Sequence, residues 1–123
     1  MTASNRTLVV KCTAGGEDAE RCAQAFTVAA TAAAAGARVS LWLTGEAAWF
    51  GLPGRAEAFV LAYSAPLAEL RDTVLELGSI TVCTQCARRR DIGAEQLLAR
   101  VRIAGSATFV SEILHDGAQA LVY

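Results

Sequence analysis

The sequence predicts an α/β fold in three layers: a mostly parallel sheet of five strands with helices on both faces, doubly wound. Three observations predict it. Short runs rich in β-branched and aliphatic residues alternate with segments whose apolar residues recur every three or four positions, the order that right-handed βαβ crossovers produce. Glycine- and proline-based turn signals divide these segments, with no Pro/Ser linker, low-complexity tail or internal repeat between them. The 123 residues make a single domain, 1–123, long enough to bury about two-thirds of its unfolded surface without disulfide staples.

The first strand is Thr7-Leu8-Val9-Val10-Lys11-Cys12, ended by the turn Ala14-Gly15-Gly16. Glu17 and Asp18 open the first helix, where acidic side chains suit the positive end of the helix dipole. Ala19, Cys22, Phe26, Ala29, Ala30 and Ala33 give it one apolar face, and Gly36 stops it. Val39 to Leu43 is the second strand. A short helix over Glu46 to Phe50 is broken by Gly51-Leu52-Pro53-Gly54. Residues 55–65 read two ways, with Phe59 to Tyr63 either a strand or an apolar loop against a neighbour. Pro66 suits the first turn of the next helix, whose buried stripe is Leu67, Leu70, Val74 and Leu77, with Gly78 ending it.

Ile80-Thr81-Val82-Cys83 is the third strand and leads directly into Thr84-Gln85-Cys86-Ala87-Arg88-Arg89-Arg90. A further helix covers Ala94 to Leu98, and Val101 to Ile103 is the fourth strand. The last helix starts at Gly105-Ser106 with Ser106 as N-cap, and turns Phe109, Val110, Ile113 and Leu114 inwards. Gly117 closes it, and Ala120 to Val122 is the terminal strand.

Composition narrows the function classes. The apolar share is 54% before glycine is counted, above the roughly 45–50% that soluble domains reach with glycine included. This excess points to subunit contacts, although the run Ala32 to Ala35 accounts for part of it. The net charge of −1, with acidic and basic residues interspersed, lacks the basic stripe that nucleic-acid phosphates require. No apolar run approaches the ~18 residues needed to cross a bilayer, so no membrane role is expected. The opening MTASNRTLVV lacks a charged-then-apolar export signal, so a cytoplasmic protein with reduced cysteines is expected.

In a reducing compartment, Cys83-x-x-Cys86 reads as redox, sulfur or metal chemistry. Cys83 lies at the carboxyl end of a strand, the edge where open α/β sheets collect reactive groups near the switch in strand order. A thiol there meets unpaired N–H groups at a helix start, which favour thiolate over thiol, and Arg88, Arg89 and Arg90 follow within about a turn. The arginines either steer an anionic sulfur compound or carboxylate towards Cys83 or form a solvated helix face. Cys12 ends the first strand and reads as packing, with an approach to the edge of Cys83 as the alternative. Cys22 lies on the apolar stripe of the first helix. A zinc site needs about four ligands, and the one histidine, His115, belongs to a distant helix end, so no metal or other cofactor is expected within one chain. The loop Thr13 to Asp18 has neither a Gly-x-Gly-x-x-Gly motif nor a Walker lysine, and its acidic residues stand where an anion would bind. Trp42, Trp49 and Phe50 read as core or interface.

The segments "TAGGEDAERCAQAF", "GARVSLWLTGEA", "PLAELRDTVLELG", "ITVCTQCARRRDI" and "GSATFVSEILHDGAQALVY" together resemble the DsrE/DsrF-like family, which includes small sulfur-relay subunits of the DsrE and TusD type and YchN-like proteins. The resemblance implies a DsrEFH-like, Rossmann-like fold, assembly as a homotrimer or homohexamer, a sulfur donor or acceptor protein as partner, and a cysteine that carries persulfide sulfur. Cys83 matches the sulfur-carrying cysteine of the family. Cys86 matches the second cysteine of members bearing Cys-x-x-Cys. Two departures stand out: Asp91 replaces the glycine of many relatives, and relay subunits often have only the first cysteine. Two function classes follow, a persulfide carrier (a possible sulfurtransferase) with Arg88 and Arg89 steering the donor, and a non-catalytic oligomeric binding or redox-sensing module. A thiol-disulfide oxidoreductase is a weaker third, since no Cys-x-x-Cys follows the first strand.

Overall fold

A computed structural model describes residues 6–123. The reading of the opening segment as free of an export signal falls partly on residues 1–5, which lie outside the described residues. The strands are β1 (Thr7–Cys12), β2 (Arg38–Leu43), β3 (Ser79–Cys83), β4 (Arg102–Ala104) and β5 (Ala118–Val122). The helices are α1 (Ala19–Ala34), α2 (Leu67–Leu77), α3 (Thr84–Arg89) and α4 (Ser106–Ile113). All five strands are parallel and lie in the order β4-β3-β2-β1-β5. The expected three-layer α/β architecture is therefore what forms.

Handedness explains the layers. The chain steps from β1 to β2 to β3 in one direction, so right-handed crossovers lay α1 and α2 on the same face. The return from β4 to β5 runs the opposite way and puts α4 on the other face. Alternation along the strands follows. Val10, Cys12, Val39, Leu41, Leu43, Ile80 and Val82 point into the main core with Cys22, Phe26, Ala29 and Val74. Lys11, Ser40, Trp42 and Thr81 point towards α4. The order of strands reverses between β1 and β5, two strands away from β3. Cys83 thus shares the carboxyl edge with the reversal point but does not lie at it, because β5 inserts beside β1.

Several expected elements are redrawn. Gly16–Asp18 is a 3-10 turn, and α1 proper begins at Ala19 with the Asp18 carboxylate accepting the Arg21 N–H at 3.4 Å. The short helix after β2 is a 3-10 segment, Gly45–Gly51, and the one expected over Ala94 to Leu98 shrinks to a 3-10 turn, Ala94–Gln96. Residues 55–65 form a loop rather than a strand. Its Phe59 packs edge-on against Phe50 of the same chain, with ring centroids 5.7 Å apart.

On α2 the buried face is Leu67, Arg71, Val74 and Leu75, whereas Leu77 is 53% exposed in the last turn. The Arg71 stem takes the expected apolar place, and its head leaves the core to bind the Glu57 carboxylate through two bonds of 3.0 and 2.8 Å. That fork pins the 55–65 loop to α2. On α4, Gly105 rather than Ser106 occupies the cap position, and no α4 residue is fully buried. Val110 and Leu114, expected to face inwards, are 44% and 75% exposed, because the helical period sets an apolar stripe but not which of its residues meet the sheet.

Candidate functional site at the carboxyl end of β3

The site begins with the absence of a connecting loop: β3 ends at Cys83 and α3 starts at Thr84. Ile80 and Val82 are locked into the main core, so Thr81 and Cys83 are turned to the α4 face. Cys83 is half-buried and Cys86 is buried. The extended backbone of Cys83, with φ −64° and ψ 132°, caps α3 and leaves its sulfur beside the first N–H groups of the helix.

Burial raises the Cys83 thiol, but the backbone N–H of Cys86, the Cys86 thiol, the backbone of Gln85 and the charge of Lys11 together bring it below the ordinary cysteine value. When protonated, Cys83 Sγ donates to Gln85 Oε1 at 3.4 Å. The amide of Gln85 can turn its NH₂ to the thiolate instead. The second thiol is itself held: the Gly45 N–H donates to Cys86 Sγ at 3.2 Å. Gly45 has φ +55°, and a Cβ there would lie 2.8 Å from the Thr13 carbonyl oxygen, so glycine is required at this crossing. The loops after β1 and β2 and the first turn of α3 therefore meet at Cys86.

The arginines divide. Arg90 binds the Glu46 carboxylate with contacts of 2.8 and 2.9 Å and donates to the Cys86 carbonyl at 3.2 Å, tying the end of α3 to the loop after β2. Arg88 and Arg89 are exposed on the last turn of α3, and neither is among the groups that set the Cys83 thiol. The charge that bears on that thiol is that of Lys11, which lies 72 positions earlier in the sequence. Only the order and register of three strands bring Lys11 near, so local motif reading could not find it. Asp91 adopts φ 54°, the left-handed region that explains why glycine suits this position and aspartate tolerates it.

Cys12 and Cys22 are fully buried on the opposite face of the sheet. The Cys12 thiol donates to the Ala14 carbonyl at 3.2 Å. Its hydrogen bond with Cys22, together with burial, pushes the Cys22 thiol up. Cys86 shares the main core with Cys12 and Cys22, and Cys83 alone is turned to the α4 face. Among the described residues no group of three or more His, Cys, Asp or Glu side chains could hold a metal ion. The Glu17 carboxylate folds back onto the Gly15 N–H, taking the amide that a phosphate loop would offer. Also among the described residues, no helix is long and apolar enough to cross a membrane.

A family model, the DsrE/DsrF-like family, matches residues 7–123. Among solved structures, the chain is similar to the crystal structure of the ychN protein from E. coli, with TM-score 0.79 and 15% identity over 96% of this chain and 99% of that one. It is also similar to MTH1491 from Methanobacterium thermoautotrophicum, a protein of unknown function, with TM-score 0.65 and 13% identity over 97% and 100% of the two chains. At these identities the likeness establishes the fold. No curated protein sequence matches the chain.

Proposed function

The chain belongs to the DsrE/DsrF-like family, and from that premise we propose that it handles sulfur as a persulfide carrier, with Cys83 as the carrying thiol. The observation that carries the reading is a half-exposed Cys83 at the junction of β3 and α3, its thiol brought below the ordinary cysteine value by the backbone and thiol of Cys86. In the loading step the Cys83 thiolate attacks the outer sulfur of a donor persulfide. A Cys83–sulfur bond forms, the donor sulfur–sulfur bond breaks, and the donor leaves as a thiolate that takes up a proton. An acceptor thiolate then attacks the outer sulfur of the loaded Cys83 and restores the Cys83 thiolate.

Cys86 supplies a second outcome. Attack of its thiol on the Cys83 sulfur of the loaded form yields a Cys83–Cys86 disulfide and releases hydrogen sulfide, and an external dithiol resets the pair. Arg88 and Arg89, exposed on α3, steer an anionic donor by long-range attraction. The absence of a membrane-crossing helix among the described residues and the four free cysteines accord with work in the reducing cytoplasm. Self-assembly as a trimer or hexamer would cover the exposed apolar side chains Val110, Leu114, Leu121 and Val122 around the open edge of β5.

The test is loading by a low-molecular-weight persulfide, followed by release of carried sulfur as thiocyanate with cyanide. Cys83→Ser is expected to abolish the releasable sulfur. Cys86→Ser is expected to keep it and to lengthen its lifetime. Equal loading of Cys83→Ser and the unaltered protein would overturn the reading.

A further inference from the structure

We propose that Lys11, gripped by the ring of Phe109, is the cation that partners the anionic Cys83 sulfur, and that α4 is the element that aims it. The inference rests on the sulfur-handling reading and adds to it the charge that the reacting sulfur needs.

Register places the two residues. Lys11 pairs with Trp42, and Trp42 pairs with Thr81, so one line across three strands runs from Lys11 to a point two residues before Cys83. Both side chains lie on the α4 face. The Lys11 ammonium sits 4.2 Å from the centre of the Phe109 ring. Phe109 is fixed in turn by its edge-on contact with Trp42, centroids 5.3 Å apart. The Glu112 carboxylate, on the next turn of α4, accepts hydrogen bonds from Ser40 at 2.6 Å and Trp42 at 3.0 Å. A half-buried lysine on an inner strand is thus held at a chosen place by a ring and not by an opposite charge.

What the lysine lacks is the stronger observation. Among the described residues, Arg71 pairs with Glu57 and Asp72, Arg90 with Glu46, Arg102 with Glu112 and Arg21 with Asp18, but no carboxylate pairs with Lys11. A cation held by a ring and by no carboxylate keeps its charge free to meet an anion. The reactive sulfur of Cys83, whether thiolate or persulfide anion, is the neighbouring group that can supply it. Other charges around the sulfur are spent or outward: Glu112 and Arg102 neutralise each other below it, Glu46 and Arg90 do so at the end of α3, and Arg88 and Arg89 face solvent. Cys86 is the other titratable group in contact.

The experiment measures the rate of Cys83 alkylation by iodoacetamide against pH, resolved by peptide mass spectrometry, with folding checked by circular dichroism. Lys11→Met keeps the stem and removes the charge. It is expected to slow alkylation at pH 7 about fivefold and to move the midpoint upward. Lys11→Arg is expected to stay near the unaltered protein, and Phe109→Leu to fall between. A Lys11→Met profile that superimposes on that of the unaltered protein overturns the proposal. If Lys11→Met does not fold, NMR of the unaltered protein decides: the Lys11 Cε resonance is expected to inflect at the Cys83 midpoint and to lose that inflection in Cys83→Ser, and a flat resonance overturns the proposal. Alkylation needs no sulfur donor. Failure of persulfide loading with a displaced Lys11→Met profile would therefore sink the carrier reading alone, and loading with an undisplaced profile would sink this one alone.

Discussion

Replacing Glu112 by alanine should unseat α4 while leaving the protein folded. One oxygen of Glu112 accepts from Ser40 and Trp42, the other binds Arg102, and the side chain is 22% exposed. Trp42 is 1% exposed, so its indole N–H would be left in a dry place without an acceptor, which costs about 1–3 kcal/mol. The Ser40 hydroxyl can turn to water, and its lost bond to a carboxylate contributes about 0.5–1 kcal/mol. The Arg102 side chain is 46% exposed, so screening leaves that ion pair about 0.5 kcal/mol. Together these give a loss of about 3 kcal/mol, within the 5–15 kcal/mol typical of a small domain. Burial raises the Glu112 carboxyl, but the bonds from Ser40, Trp42 and Arg102 outweigh it and hold the group below its ordinary value. The carboxylate's contribution is therefore fully present above the unfolded pKa of about 4.3 and is lost as pH falls through the folded one. Urea unfolding followed by tryptophan fluorescence, at pH 7 and again near pH 4, measures both effects. The gap between the unaltered protein and Glu112→Ala should narrow at the lower pH. A difference under about 0.5 kcal/mol at pH 7, or a gap that widens in acid, would refute the assignment of Glu112 as the anchor of α4.

Gly45→Ala should cost about 2–3 kcal/mol, from the left-handed φ and the 2.8 Å approach to the Thr13 carbonyl, as read by urea denaturation. Glu57, held at a pKa of about 2 chiefly by its hydrogen bond to Arg71, stabilises the 55–65 loop above the unfolded carboxylate pKa and releases it as pH falls towards that value. Limited proteolysis within 55–65 should accordingly speed up in strong acid, and Glu57→Gln should show the faster cleavage already at pH 7. The double variant Arg88→Ala with Arg89→Ala should leave the pH profile of Cys83 alkylation unchanged and flatten the salt dependence of loading by an anionic donor, measured by stopped-flow between low and high ionic strength.

The parts legible in the sequence were those that local rules govern. The period-2 alternation of Ile80-Thr81-Val82-Cys83 and the immediate helix start place the thiol pair correctly, and the strand–helix alternation yields the five parallel strands. The parts hidden from it depend on partners distant in the chain. Arg71 occupies a core position on α2 because Glu57 is there to receive its head, and nothing in the helical period announces that. Leu77, Val110 and Leu114 satisfy an apolar period yet lie exposed, since a period fixes a face but not what packs on it. Lys11 reads as one polar residue in an apolar strand. Its place near Cys83 follows only from the pairing of β1, β2 and β3 and from the return of α4 over the opposite face.

The most direct test of the central claim is site-resolved mass spectrometry of the unaltered protein after brief incubation with a persulfide donor and capture of free thiols. The account predicts an adduct of about 32 Da, the mass of one sulfur atom, on the peptide bearing Cys83, with Cys12 and Cys22 unmodified while the fold is intact. An adduct confined to Cys86, Cys12 or Cys22, or none on Cys83, would contradict it.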